Sequence, residues 1–186
     1  MLTPDGLFFA PGIRFKALRV DDPQALADAL AARAQCWFFA PASQVAPVSP
    51  FAAGIIVSCF IDAAAEFEGT TLAEWLREAV PATGDRDPRR GNKTIADSFE
   101  EDVRHGLVHH ARLNRGAEFS LDLETPLEII RAVLVVNPLE LLKSVAARWD
   151  KTLRAVVSNS DFHRRIADQI QRVFKADFLA DEAWRR

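Results

Sequence analysis

The sequence has little cysteine, no excess of positive charge and no long hydrophobic run, and each of these absences removes a class of protein. Two cysteines in 186 residues, Cys36 and Cys59, cannot build a disulfide framework. Both lie in apolar, helix-like runs, which predicts buried free thiols in a reducing cytoplasm. A formal net charge of -3 gives no global electrostatic case for nonspecific nucleic-acid binding, so any such contact needs a local basic cluster. The longest apolar run, Phe51 to Phe60, is about half the ~20 residues of a membrane span. Residues 1–12 lack a basic start and carry Asp5, so no signal peptide and no membrane partner are expected. No internal repeat or low-complexity tract breaks the chain.

What is present is a globular composition, 49% hydrophobic and 26% charged, of a length that suits one domain over 1–186. Residues 1–20 mix Phe, Leu and Ile with Pro and Gly and read as an irregular lead-in, with room for a short strand near Ile13–Leu18. Asp21 or Asp22 caps a helix that starts at Pro23 and runs to about Phe39. Pro41, Pro47 and Pro50 then punctuate a loop. Ser49-Pro50 opens a nearly all-apolar central helix, stopped by Gly69, with Asp62 as the exception within it. A short helix over 72–80 and a loop over 81–93 follow, and the loop carries Arg86, Arg89, Arg90 and Lys93. A third long helix spans about 94–112. Beyond it, 117–123 alternates and 129–136 is β-branched, which predicts a small two-stranded β insertion around 117–136. Asn137-Pro138 opens a last helical run, broken near 158–161. The predicted fold class is mainly α, an antiparallel helical bundle with that insertion.

Chemistry concentrates in the third long helix, where three of the four histidines sit beside arginines and acids. At ~100° per residue, Phe99, Val103, Leu107 and His110 share the core-facing sector. Glu101, His105, His109 and Arg112 fall on the opposite side, flanked by Arg104. One reading is a solvated polar face with His110 as a satisfied core histidine. A second is a metal site from Glu101, His105 and His109 at i, i+4 and i+8, although ~12 Å of rise is too long for the outer two to share an ion. A third is metal-independent phosphodiester cleavage. That reaction needs a base for the ribose 2′-OH, an acid for the 5′-oxygen and a cation for the charged phosphorane, roles that suit His and Arg. Arg104 and His109 supply both types, but on an ideal helix they diverge by ~140°, so they converge only if the Arg side chain wraps round or a second subunit completes the site.

Arg104-His105-Gly106-Leu107-Val108-His109 resembles the Arg-polar-x-x-x-His signature of HEPN domains, which are small all-helical bundles. His105 takes the polar position, and the signature's variable spacing lets His110 satisfy it too. The Val57–Ala65 run with Asp62 and the stretch Val103–His109 are similar to a subset of HEPN-like proteins, and the resemblance covers roughly residues 51–116. It implies a homodimer with the motif helices facing each other and no cofactor. It further implies a cytoplasmic endoribonuclease, often in a toxin–antitoxin or phage-defence setting with an antitoxin protein as partner. Arg104 would hold the scissile phosphate, His109 would be the acid/base, and His105 would support them. Inactive members also exist, so the other expectation is a catalytically silent module that binds nucleotide, RNA or a protein. The β-like segment departs from the minimal bundle. Asp62 is either a buried, satisfied carboxylate or a partner that orients Arg104 or His110. The loop arginines Arg86, Arg89 and Arg90, with Lys93 and with Arg112 on the motif helix, are either solvated or gather RNA phosphates at the cleft mouth.

Overall fold

The computed structural model describes residues 2–3, 6–110, 112–114 and 116–183, without the side chains at 2–3, 6, 108–110 and 180–183. The chain is mainly helical, with two small sheets. The lead-in is ordered rather than irregular: β1 (Leu2–Thr3), β2 (Gly6–Ala10) and β3 (Ile13–Arg14) form an antiparallel sheet. Pro11-Gly12 makes the turn, with Gly12 at a φ of 75° that side chains disfavour. Phe9 is fully buried, and Phe174 from the C-terminal helices packs edge-on to it.

Helix α1 (Pro23–Ala34) is capped by Asp22, which accepts from Ala25 N. The helix does not stop before Pro41. A wide π turn over Gln35–Phe39 leads straight into α2 (Ala40–Val45). The reason is local. A proline ring clashes with the carbonyl four residues back and supplies no N–H, and a wide turn at that point accommodates both defects.

The central helix α3 (Pro50–Glu68) starts at the Ser49 cap and ends on Gly69 with φ 67°, as its sequence predicts. It packs against α2, α4 (Leu72–Ala79), α7 (Pro138–Ser158) and α8 (Ser160–Val173). Trp75, Trp149, Ile61 and Phe99 are buried around it, each contributing roughly 1.5–3 kcal/mol or more. One face stays uncovered. Phe51 and Cys59 are exposed and Ile55 and Ile56 half-buried, and although α3 is long and apolar enough to cross a membrane, half of it is buried inside the protein. The expectation of two buried thiols is therefore corrected: Cys36 and Cys59 are both exposed, because apolar neighbours along a helix do not specify which stripe meets the core.

The β insertion has three strands instead of two. Strand β4 (Ala117–Phe119) runs parallel to β6 (Val133–Val136), and β5 (Leu127–Ile130) pairs antiparallel with β6. The β-branched run hides a tight turn at Arg131-Ala132, whose φ values of 49° and 63° are left-handed without the usual Gly or Asn. Gly54 on α3 gives the sheet its seat. A Cβ there would lie 2.1 Å from the Phe119 ring, so no other residue lets β4 come this close. Helix α9 (Lys175–Ala183) ends the described chain.

Candidate functional site

The motif helix starts at a capping box: Thr94 Oγ1 accepts from Asp97 N, and Thr94 N donates to Asp97 Oδ2 at 2.8 Å. It runs as α5 (Ile95–Phe99), opens into a π turn over Glu100–Arg104, and continues as α6 (His105–His110). The expected core stripe is there, with Phe99 and Val103 fully buried and Leu107 nearly so. The wide turn changes the rest of the wheel. It buries Asp102, 2% exposed, beside Val103, which a regular 3.6-residue period does not predict. The chain then folds back over the turn. Asn114 N donates to Asp102 O and Asn114 Nδ2 to Glu101 O, both at 2.8 Å, and Arg112 N donates to Gly106 O. Gly106 is needed for that return, since a Cβ would stand 2.6 Å from Arg112 O.

The buried Asp102 carboxylate meets two cations from the preceding loop. Arg90 donates to both Asp102 and Glu101, and Arg89 reaches Asp102 at 3.3 Å, Asp87 at 2.7 Å and the Gly116 carbonyl. Lys93 pairs with Glu101. Burial pushes the Asp87 carboxyl up, but hydrogen bonds from Arg89 and Ser98 outweigh it and hold the group at about 2. The Lys93 hydrogen bond lowers Glu101 in the same way. Three of the four basic loop residues are thus spent fixing the wide turn, while Arg86 and Arg112 remain exposed. Glu101 is likewise engaged by cations, and among the described residues no three His, Cys, Asp or Glu side chains gather as a metal site requires.

Arg104 leaves the wide turn in another direction. Its Nη2 donates to Asp62 Oδ2 at 2.7 Å, while its Nε is buried without a partner. Asp62 is a half-exposed carboxylate, not a buried one, and it orients this guanidinium. The pair lies on the wall of an open cleft of about 520 Å³ between α3, the wide turn and α8. Each helix contributes a pair of polar residues on one face: Asp62 and Glu66, Glu100 and Arg104, Gln169 and Arg172. Sequence reading missed Glu66, Glu100, Gln169 and Arg172. Their i, i+4 and i, i+3 spacings are visible in the chain, but nothing in it says that the three faces meet. His105 is half-buried on the first turn of α6. The side chains of His109 and His110, and with them the expected outward and inward orientations, lie outside the described residues. Set against known proteins, the chain matches no family model, no curated protein and no solved structure.

Proposed function

We propose that the chain is a HEPN-like domain that acts as a homodimeric, metal-independent endoribonuclease. The observation that carries this reading is Arg104. Asp62 holds its guanidinium on the wall of an open cleft as the one charged partner there, which suits a further bond to a phosphate oxygen. In the proposed reaction the 2′-oxygen attacks phosphorus and the 5′-oxygen leaves, giving a 2′,3′-cyclic phosphate and a 5′-hydroxyl. His109 takes the 2′ proton or returns one to the leaving oxygen, and the same residue of the second copy serves the other role. Arg104 stabilises the added charge on the phosphorane. The uncovered apolar stripe of α3 from Phe51 to Cys59 runs towards Asp62 and supports a dimer that joins two such sites. With Arg89, Arg90 and Lys93 engaged internally, the exposed Arg86, Arg112 and Arg172 are left to steer RNA. The cytoplasmic location and the toxin–antitoxin or defence setting, with an antitoxin partner, belong to the same proposal.

One observation favours the silent module. The cleft carries three carboxylates, Asp62, Glu66 and Glu100, against two guanidiniums, a balance that opposes a polyanion. Incubation of structured and unstructured RNA with the protein in EDTA, beside Arg104→Ala and His109→Ala, separates the two. Cleavage by the wild type, lost in both variants, is expected. Intact RNA in every lane from a folded dimer would overturn the nuclease reading in favour of the module, and activity abolished by EDTA would return the metal reading.

A further inference from the structure

The Arg104 cleft is distinguished by polar groups that the protein itself leaves unused. Asp62 and Arg104 satisfy each other in part. Among the described residues, Glu66, Glu100, Gln169 and Arg172 form no side-chain hydrogen bond or ion pair, yet all four line the same space. Folded chains satisfy half-buried polar groups internally where they can, as this protein does around Glu68 and Asp102. Two half-buried, unengaged groups, Glu100 and Gln169, with Glu66 and Arg172 at the exposed rim, therefore line a ligand-sized volume of about 520 Å³ with an unmatched set of donors and acceptors.

The composition of that set selects the ligand. Glu100 is half-buried and stands four residues before Arg104 on the wide turn, so the two side chains leave one face of the helix. A carboxylate only accepts hydrogen bonds, and it accepts best from two adjacent donors. Among RNA bases guanine alone offers that, with N1–H beside the N2 amino group. Adenine and cytosine present one amino group beside a ring-nitrogen acceptor, and uracil presents one N–H between two carbonyls, so each sets a lone pair against the second carboxylate oxygen. Gln169 supplies an amide donor for the guanine carbonyl, and Arg172 and Arg104 supply charge for the flanking phosphates. The carboxylate excess that opposes a bare polyanion becomes a means of reading the base.

We propose that the cleft between α3, the wide turn and α8 is a guanine-recognition site, with Glu100 as the base-reading residue and Arg172 as a phosphate contact. The inference rests on the ribonuclease reading for its place in a reaction, but binding tests it separately. Calorimetric titration of the full chain with GMP, IMP, AMP, CMP and UMP should give GMP the highest affinity, by about tenfold or more over the other four. IMP lacks the N2 amino group and should fall between GMP and AMP. Glu100→Gln keeps one acceptor but sets an amide donor against the other of guanine's two adjacent N–H groups, and should remove the preference while leaving the circular dichroism spectrum and thermal midpoint unchanged. Asp168→Asn removes an exposed carboxylate of α8 outside the cleft lining and should change GMP affinity less than threefold, which checks that lost binding is not a general effect of altered charge. Equal affinities for the five nucleotides, no binding at all, or a preference that survives Glu100→Gln would overturn the proposal. Tight GMP binding with intact RNA would sustain this site and sink the nuclease reading. RNA cleavage without preference at guanine would do the reverse.

Discussion

Two arginines of this protein each meet a carboxylate of α3, and the difference between them separates architecture from chemistry. Arg148 on α7 is almost fully engaged. Its Nη2 reaches Glu68 at 2.7 Å, its Nε reaches Glu78 at 2.9 Å, Nη1 donates to Thr152, and the guanidinium lies 5.3 Å from the Trp75 ring centre. Glu68, 8% exposed, also accepts from Trp75 Nε1 and Thr152 Oγ1. No group in that cluster waits for a ligand, and its effect is to lock α3, α4 and α7 together. Arg104 has one charged partner at the solvent edge, an orphaned Nε, and a cleft of unengaged neighbours. A satisfied buried network fixes a fold, whereas an unsatisfied one at a cleft is available to bind.

The largest test of that contrast is Glu68→Ala. It leaves an indole N–H and a hydroxyl without their acceptor and a largely buried guanidinium with only Glu78 and Thr152, and should cost about 3 kcal/mol in urea unfolding. A loss below about 1 kcal/mol would erase the distinction between the two arginines. Acid comes next. Asp87 is held at about 2 against an ordinary value of 3.8, so its contribution is complete above about pH 4 and is lost as pH falls through about 2. The unfolding free energy should drop by about 2 kcal/mol across that window, and Asp87→Asn should flatten the slope there although it is less stable at neutral pH. Glu101 and Asp97, lowered in the same direction, add to the wild-type slope. The smallest effect on stability belongs to Asp62→Ala. A half-exposed pair at the edge of an open cleft contributes about 1 kcal/mol or less, so the thermal midpoint should move little. If Asp62 aims Arg104 as proposed, the same variant should slow RNA cleavage about tenfold at unchanged stability. A large stability loss with full activity would place Arg104 with Arg148, as structure.

Much of the frame was legible in the chain. The helix starts at Pro23, Pro50, Leu72, Ile95 and Pro138 follow from caps at Asp22, Ser49, Thr71, Thr94 and Asn137, because capping satisfies local N–H groups with a neighbouring side chain. The stripe Phe99, Val103 and Leu107 was equally visible. Less visible were the two wide turns, the glycine-free hairpin at Arg131-Ala132, and the internal fate of Arg89, Arg90 and Lys93. Each of these depends on a partner distant in sequence. The turn at Glu100–Arg104 is held by Asn114 and the loop cations, and a basic loop reads as solvated until a buried carboxylate is placed beside it.

By itself the sequence determined helical content, helix beginnings and the chemical types gathered in the motif helix, since short-range hydrogen bonding and periodic apolar spacing are local. Tertiary structure alone decided that Arg104 faces Asp62 and that Glu66, Glu100, Gln169 and Arg172 share one cleft. It also decided which face of α3 stays bare. Those outcomes depend on how helices far apart in the chain pack together, and no local spacing encodes that packing.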